Sequence, residues 1–340
     1  MSESQYAEAG VDLEGADAAK RRIAALVQGA RTAHSVGKTG AFGGMVRVPG
    51  GYRHPVLVMS TDGVGTKVMV AREAGRFDTV GEDLVNHSVN DILVHGAMPL
   101  AFLDYVAGAG LGVERTAAIV EGVARGCRRH EMALAGGETA QMPGLYRPGD
   151  FDLAGTIVGV VEEDAALHGD AIVPGDVLIA LESSGLHTNG YTLARAILFG
   201  RLKLTLDTML PDTSQSVGQA LLAVHRSYRA ALAPVLDRVH GLAHITGGGI
   251  PGNLVRVLPD RCEAVVEAAS WTVPPLFELL QRGGAVSQDE MRDVFNLGVG
   301  MIVIAPATQA APVRSAAAAA GVPSWILGEV RSGAAGVRFV

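Results

Sequence analysis

The sequence predicts two domains of mixed α+β and α/β class. The chain has 340 residues, which is more than one ordinary domain requires. Hydrophobic residues make up 48% of it and charged residues 19%, a balance that supports packed cores and excludes wholesale disorder. Strand-like and helix-like stretches alternate along both halves, and the turn signal Pro174-Gly175-Asp176 lies between the halves. We therefore place an N-terminal domain at residues 1–170 and a C-terminal domain at residues 171–340.

In the N-terminal half, apolar and β-branched runs predict strands, and apolar residues spaced by three and four predict helices. The predicted strands are Val56–Ser60, Leu100–Ala107, Met132–Ala135 and Phe151–Val161, and the predicted helices are Ala18–Gln28, Thr79–His95 and Val113–Arg129.

The same patterns recur in the C-terminal half. The predicted strands are Val177–Leu181, Ala264–Ala268, Gly300–Ala305 and Ser324–Val330, and the predicted helices are Tyr191–Phe199, Ser216–Val239, Asn253–Leu258 and Ala310–Ala320. Pro234 must bend or interrupt the helix over 216–239, because proline has no N–H to donate.

Composition narrows the class of protein. The net charge is −7, whereas a protein whose main partner is nucleic acid normally has a basic surplus. Cys127 and Cys262 are the two cysteines, which excludes a disulfide framework and a zinc ribbon. Met1–Gln5 does not begin a secretory signal, and no apolar run reaches the roughly 18 residues of a membrane span. We expect a cytoplasmic protein without nucleic acid or membrane partners.

The densest group of chemically capable residues follows the first predicted strand, in Thr61-Asp62-Gly63-Val64-Gly65-Thr66-Lys67. Asp62 offers hard oxygen ligands, the two glycines let backbone amides face a phosphate, and Lys67 adds a point charge. These residues favour a nucleoside triphosphate bound with magnesium. A β-turn followed by a helix cap explains Asp62-Gly63 equally well when that pair is taken alone.

Two further carboxylates lie at or near the ends of predicted elements. Asp91 follows Asn90 on the apolar helix, and Glu138 follows Gly136-Gly137 after a strand. Such groups are costly to bury unless they are paired or bind a cation, although a solvated helix face is the simpler alternative for Asp91. Asp62, Asp91 and Glu138 together favour magnesium handling by an ATP-dependent enzyme over a general acid–base pair.

Two polar segments in the C-terminal half point to an anionic substrate. His187-Thr188-Asn189-Gly190-Tyr191 closes one strand and opens a helix, and His187 is either a proton carrier or a structural histidine. Thr246-Gly247-Gly248-Gly249-Ile250-Pro251-Gly252 contains the spacing Gly-x-Gly-x-x-Gly, which also occurs in dinucleotide-binding folds. Pro251 and the short following helix disfavour that alternative, and a cradle for a substrate phosphate explains the same glycines.

Eight segments, in order along nearly the whole chain, resemble the phosphoribosylformylglycinamidine cyclo-ligase family, also called aminoimidazole ribonucleotide synthetases. They are Tyr6–Asp12, Thr61–Lys67, Val89–Asp91, Phe102–Tyr105, Gly136–Ala140, His187–Tyr191, His244–Gly249 and Phe295–Met301. The resemblance implies an N-terminal sheet that forms a barrel with a second subunit, a C-terminal α/β domain packed beside it, and a homodimer. It also implies ATP-dependent ring closure of formylglycinamidine ribonucleotide to aminoimidazole ribonucleotide, with release of ADP and phosphate.

The resemblance implies roles for particular residues. Mg²⁺ would be held by Asp62, Asp91 and Glu138. Catalytic roles would fall to Lys67, His187 and Asp62. ATP would contact the loop Thr39–Gly44 and the residues Gly40, Gly43, Gly44, Gly63, Gly65, Thr66, Lys67 and Asn90. The ribonucleotide would contact His187, Thr188, Asn189, Gly247, Gly248 and Gly249.

The chain departs from the family pattern at some positions, and related enzymes stay open as alternatives. Gln141 stands where the family commonly has glutamate, and Ala109-Gly110-Leu111 lacks a lysine usual in the family. Selenophosphate synthetase and the hydrogenase-maturation dehydratase use cysteines that have no counterpart here, and thiamine-monophosphate kinase lacks a segment like His187–Tyr191. A paralogue acting on a related amide and a silent nucleotide-binding subunit are the remaining alternatives.

Overall fold

The structure is a computed structural model that describes residues 13–340. The chain divides into two compact units. The N-terminal unit comprises the residues through Val89 together with Met98–Val160, and the C-terminal unit comprises Asn90–Ala97 together with Val161–Val340. Among the described residues, no helix combines the length and the hydropathy that crossing a membrane requires.

The N-terminal unit is built on a four-stranded sheet in the order β3-β6-β4-β5. Its strands are β3 (Pro55–Gly63), β4 (Met98–Gly108), β5 (Ala133–Gln141) and β6 (Phe151–Glu162), and a small hairpin is formed by β1 (Ser35–Val36) and β2 (Met45–Val46). Its helices are α1 (Leu13–Gly29), α2 (Lys67–Glu73), α3 (Asp78–Leu93) and α4 (Gly112–Arg129). β4 pairs parallel with β5 and antiparallel with β6.

One side of this sheet is buried against helices. Phe102, Leu153 and Ile157 are fully buried on that side, and a Cβ on Gly155 would overlap the Phe102 ring. Helices α3 and α4 approach each other closely at Gly81, where the lack of a side chain leaves room for the carbonyl oxygen of Ile119. A Cβ at this position would overlap that oxygen. The other side of the sheet keeps several large apolar side chains exposed.

The C-terminal unit is built on a six-stranded sheet in the order β12-β9-β11-β7-β10-β8. Its strands are β7 (Val177–Glu182), β8 (Gly241–His244), β9 (Cys262–Val266), β10 (Val299–Ala305), β11 (Ser324–Ser332) and β12 (Gly336–Phe339). Its helices are α5 (Tyr191–Arg195), α6 (Val217–Leu221), α7 (Arg229–Leu232), α8 (Gly249–Leu254), α9 (Pro275–Gly284), α10 (Gln288–Val294) and α11 (Ala310–Ala319). All the neighbouring pairs are antiparallel except β12 with β9.

Both faces of the six-stranded sheet are buried. Ile302 and Ile304 contribute to one core, whereas Met301 and Val303 contribute to the other. Every residue of β10 is buried, as the alternation of side chains requires in a strand covered on both sides.

The predicted helix over 216–239 is wrong. It divides into α6, a segment without regular structure over 223–228, α7, and a 3-10 turn at Ala233–Arg238 that contains Pro234. Buried side chains in the irregular segment bond to other parts of the unit, which offsets the lost helical bonds. The apolar spacing alone could not anticipate those partners.

Other predicted bounds also need correction. β5 continues to Gln141, so Gly136-Gly137-Glu138 lies inside a strand rather than after one. The helix predicted at Asn253–Leu258 begins earlier, at Gly249. The elements that were not predicted are the hairpin β1–β2, helices α2, α9 and α10, and strands β8 and β12.

Candidate functional site

Asp62 lies near the end of β3 in the N-terminal unit. Its Oδ2 is 2.8 Å from Nε2 of His87, and its Oδ1 accepts a hydrogen bond of 2.6 Å from the backbone N–H of Gly63. The carboxylate is 47% exposed, whereas the His87 side chain is buried. A carboxylate that is oriented from one side and open to solvent on the other can accept a cation.

Asp62 and Glu138 do not face each other. Thr61 Oγ1 lies 2.7 Å from Thr156 Oγ1, so these residues share the side of the sheet that lacks helices, and alternation turns Asp62 to the other side. On β6, Ala154 lies two residues from Thr156 and therefore on the same side of the sheet. Ala154 pairs with Tyr105 of β4, and Tyr105 pairs with Glu138 of β5, so Glu138 is on that side too. The two carboxylates also lie on opposite edge strands. Within one chain, Asp62 and Glu138 therefore lie on opposite sides of the sheet, and their binding of a common magnesium ion stays a prediction.

The predicted glycine loops lie at turns of the N-terminal unit. Gly40 and Gly43 are in the exposed turn between β1 and β2, and a Cβ on Gly44 would overlap the carbonyl oxygen of Ala135 in β5. The turn is thereby held close to Gly136-Gly137-Glu138. Gly65 has φ of +53°, a left-handed conformation that favours glycine, in the turn between β3 and the N-cap residue of α2, Thr66.

The structure revises the role predicted for Lys67. Its ammonium group is fully buried and lies 2.8 Å from Oδ2 of Asp83, which is also fully buried. Burial lowers the pKa of Lys67, and Asp83 opposes that shift. Lys67 therefore ties the start of α2 to α3 rather than presenting its charge on the surface beside Asp62.

A cavity of about 350 Å³ opens in the N-terminal unit. It lies beside the carboxyl ends of the parallel strands β4 and β5, the usual edge for ligands in such sheets. Apolar residues dominate its lining, which includes Ile23, Val106, Leu111, Thr116, Thr139 and Gln141. A pocket of this size and character can hold a heterocyclic base.

Asp104 is a buried carboxyl group on β4. Burial raises its pKa from 3.8 to about 7, and a hydrogen bond to its own backbone opposes the shift. The folded protein therefore holds this proton at a pH where the unfolded chain has already released it.

We expect the free energy of unfolding to fall as pH rises from about 4 to 7, because over this range the unfolded chain releases the proton that Asp104 keeps in the folded protein. The substitution Asp104→Asn should remove this pH dependence. One pKa unit is worth about 1.4 kcal/mol, so three units correspond to roughly 4 kcal/mol of free energy of unfolding above pH 7. Urea unfolding at pH 5 and pH 8.5 tests this, with the exposed Asp237→Asn as control. Equal pH dependence of wild type and Asp104→Asn would contradict it.

In the C-terminal unit, the structure brings two predicted substrate segments together. A Cβ on Gly247 would lie 3.5 Å from Oδ1 of Asn189, so the turn after β8 borders the turn after β7. Gly248 and Gly249 both have left-handed φ, and Asn253 Nδ2 donates to the carbonyl oxygens of Gly247 and Gly249 at 3.2 and 2.8 Å. The triple glycine is thus a fixed turn rather than a loose loop, with Gly247 exposed and Gly249 buried.

The turn after β7 is braced by the segment that precedes β10. Asn296 accepts a hydrogen bond from Ser183 Oγ and donates one to the carbonyl oxygen of Gly185. Within the described part of the chain, Nδ2 of Asn189 is buried and has no hydrogen-bond partner. A buried donor of this kind indicates a missing acceptor.

Histidines join the predicted segments in the same unit. His187 and Thr188 are buried, and the His187 ring stacks on His225 with ring centroids 3.9 Å apart. Nε2 of His225 lies 3.1 Å from Nε2 of His244, whose Nδ1 lies 2.8 Å from Oδ1 of Asp91. Asp91 remains 21% exposed.

Sequence reasoning missed His225, and it did not foresee the structural bonds of Asn90. Asn90 is fully buried, and its side chain bonds to His225, the carbonyl oxygen of Arg226 and the backbone N–H of Tyr228. Within the C-terminal unit, Asn90 therefore ties residues 225–228 to the segment Asn90–Ala97. Its contact with ATP stays a prediction. His225 gave no signal because the spacing placed it on a helix that does not form.

The dinucleotide-binding alternative for the triple glycine does not fit the topology. Such a motif needs parallel neighbouring strands on either side of the helix. β8 lies at one edge of the sheet, and β9 is separated from it by β10, β7 and β11.

Solved structures share this architecture. Thiamine-monophosphate kinase from Stenotrophomonas maltophilia superposes with a TM-score of 0.68 and 19% identity, covering 95% of both chains. Hydrogenase maturation protein HypE in complex with ATP superposes with a TM-score of 0.63 and 16% identity, covering 94% of this chain and 90% of that one. At these identities the likeness shows the fold alone.

Sequence comparison is more specific. Residues 40–161 match the N-terminal domain, and residues 173–340 the C-terminal domain, of AIR synthase related proteins. The phosphoribosylformylglycinamidine cyclo-ligase of Sorangium cellulosum is 47% identical over 331 residues, which cover 96% of this chain and 95% of that protein. The cyclo-ligase of Myxococcus xanthus is also 47% identical and covers 96% of each chain. The chain therefore belongs to the family of phosphoribosylformylglycinamidine cyclo-ligases, as the resemblance of its sequence segments indicated.

Proposed function

We propose that this protein catalyses the ATP-dependent cyclisation of formylglycinamidine ribonucleotide to 5-aminoimidazole ribonucleotide in de novo purine biosynthesis. The observation that carries the proposal is the similarity to named cyclo-ligases along nearly the entire chain. The proposal includes a cytoplasmic homodimer with an N-terminal ATP-binding domain at 1–170 and a C-terminal substrate domain at 171–340.

The reaction needs activation of a poor electrophile. The formamide carbonyl resists attack because its oxygen is a poor leaving group, and transfer of the γ-phosphoryl group of ATP to that oxygen makes an iminophosphate. The amidine nitrogen of the same substrate then attacks the carbon, and phosphate leaves. Such a sequence asks the protein to position groups and to neutralise charge.

Asp62 is the residue that best fits a magnesium ligand in the N-terminal unit, because its carboxylate is oriented by His87 and half open to solvent. When bound, Mg²⁺ would neutralise the phosphate charge of ATP. The Thr39–Gly44 turn would supply backbone amides, and the nearby apolar cavity would supply room for the adenine ring. Asp91 and Glu138 stay predicted ligands, with Glu138 on the other side of its sheet.

The C-terminal unit would bind the ribonucleotide. The exposed backbone of Gly247 would face a phosphate, and Asn189 Nδ2 is a buried donor beside it. His187 and Thr188 lie in the same turn as Asn189. We assign His187 to the reacting part of the substrate.

The test is an assay of ADP release with ATP, Mg²⁺ and formylglycinamidine ribonucleotide, with the aminoimidazole product detected after diazotisation. We expect ADP release to depend on the ribonucleotide and to match product formation one to one. ADP release with another amide but not with this one would favour a paralogue. No substrate-dependent release in either case would favour a silent nucleotide-binding subunit and would reject the proposal.

The dimer is supported by an apolar patch on the helix-free side of the N-terminal sheet. Leu57 and Met59 alternate with Thr61 on that side, and Leu103 and Tyr105 pair with residues of the same side of β6. Each of these four side chains is more than a third exposed. An exposed apolar surface of this kind is typical of an interface.

We expect Met59→Asp to make the protein monomeric, because it would bury a charge in the interface formed by this patch. Sedimentation velocity tests this. Met209→Asp is the matched control, since Met209 is similarly exposed (57% against 64%) in the C-terminal unit. A dimer that survives Met59→Asp, or a wild type that is already monomeric, would reject this interface.

A further inference from the structure

His225 occupies the centre of the C-terminal site, between His187 and His244. It lies in the irregular segment between α6 and α7 and is fully buried. Both ring nitrogens approach polar groups: Nδ1 lies 3.3 Å from Thr188 Oγ1, and Nε2 lies 3.2 Å from Asn90 Nδ2 and 3.1 Å from Nε2 of His244. Burial of an imidazole is tolerated when its nitrogens are satisfied in this way.

The tautomer of His225 follows from the orientation of Asn90. Oδ1 of Asn90 accepts from the backbone N–H of Tyr228 at 2.9 Å, and Nδ2 donates to the carbonyl oxygen of Arg226 at 2.9 Å. These two backbone bonds fix the amide, and an amide nitrogen can only donate, so Nε2 of His225 accepts from Asn90. In the 3.1 Å contact between Nε2 of His225 and Nε2 of His244, His244 is then the donor. The proton of the neutral ring is therefore on Nδ1, where it is donated to Thr188 Oγ1.

The same ring supports a strained residue. His187 has φ of +61°, a left-handed conformation that is unfavourable for a residue other than glycine. Its ring stacks on His225 at an interplanar angle of 21°, and its Nε2 accepts from the backbone N–H of Ser184 at 3.1 Å. Gly300 leaves room for the His187 ring, which a Cβ on residue 300 would overlap.

The histidine cluster is better described as a hydrogen-bond network than as a metal centre. Nitrogens of His187, His225 and His244 lie within 4.8 Å of one another, a spacing compatible with a metal ion. However, Nε2 of His187 and Nε2 of His225 already accept hydrogen bonds from N–H donors. Their lone pairs are therefore in use.

We propose that His225 is a positioning residue that fixes the ring plane of His187 and the hydroxyl group of Thr188 for the ribonucleotide. His225 stacks on the ring of His187, and its Nδ1 donates a hydrogen bond to Thr188 Oγ1. Asn90 holds the ring in the required tautomer. The kinetic side of this inference rests on the proposed cyclo-ligase function, whereas the tautomer does not.

The experiment uses two substitutions that separate stacking from hydrogen bonding. His225→Phe keeps a ring under His187 and loses the bonds to Thr188 and Asn90, whereas His225→Gln keeps polar atoms and loses the stack. Misplacement of reacting groups by about 1 Å can cost on the order of 10²-fold in rate, so we expect kcat to fall by about that factor in both variants. KM for ATP should stay unchanged. His240→Gln is the control, because His240 pairs with Asp176 at 2.7 Å away from this cluster.

Ring ¹⁵N–¹H correlation spectra of histidine-labelled wild type supply a readout that does not depend on activity. We expect the proton of His225 on Nδ1, with assignment from the peaks lost in the two variants. Wild-type kcat in both variants, or the proton of His225 on Nε2 in the wild type, would overturn the proposal. An inactive wild type with the expected spectrum would reject the proposed function and leave the tautomer standing.

Discussion

Asp62→Asn should abolish turnover, with kcat reduced by about 10²–10³-fold, while the fold stays intact. The amide keeps the shape of the side chain and can still bond to His87, but it removes the negative charge that a magnesium ion requires. The measurement is steady-state ADP release over a range of Mg²⁺ concentrations, with circular dichroism to confirm folding.

Asp152→Asn is the matched control for that substitution. Asp152 lies in the same sheet, is exposed, and accepts a hydrogen bond from the N–H of the next residue at 2.8 Å, as Asp62 does at 2.6 Å. We expect it to keep kcat within about twofold, as a surface change that removes no needed charge. Near-normal turnover in Asp62→Asn would remove Asp62 from the metal site.

Lys67→Met should destabilise the N-terminal unit by about 3–5 kcal/mol, because it leaves the Asp83 carboxylate buried without its ammonium partner. The double substitution Lys67→Met with Asp83→Leu should recover most of that loss, since a buried ion pair and a well-packed apolar pair are often similar in stability. The measurement is urea unfolding followed by circular dichroism.

The control for this pair is Lys20→Met. Lys20 is 76% exposed and lies 3.8 Å from the exposed Asp17, so its loss should cost less than about 1 kcal/mol. If Lys67→Met cost no more than Lys20→Met, the buried pair would not hold α2 to α3. The predicted contact of the Lys67 charge with the ATP phosphates would then regain support.

Local patterns predicted the two-domain architecture and most elements correctly. The apolar character of residues 300–305 and 151–161 predicted strands, and both form. β10 is buried throughout, whereas β6 alternates between buried and more exposed residues over most of its length. The prediction failed where tertiary partners override spacing. The segment 223–228 has a helical apolar pattern, but His225 and Tyr228 bond to other elements instead of continuing a helix.

The candidate site was predictable in its residues and less so in its geometry. The pairing of Asn189 with the triple-glycine turn matches the expected grouping of substrate segments. The separation of Asp62 from Glu138 depends on the order of the strands in the sheet and on the side of the sheet to which each side chain points. Neither can be predicted from a local motif. The Tyr6–Asp12 segment lies outside the described residues, so its predicted part in the resemblance has no structural counterpart here.

The C-terminal unit is discontinuous in sequence, because Asn90–Ala97 belongs to it although the rest begins at Val161. A gene fragment that encodes only 171–340 would omit Asn90 and Asp91, and with them the partners of His225, His244 and the Tyr228 amide. Such a fragment could conserve every strand of the six-stranded sheet and still assemble its histidines incorrectly. Separate expression of the halves would therefore need a linker that supplies residues 90–97 to the second half.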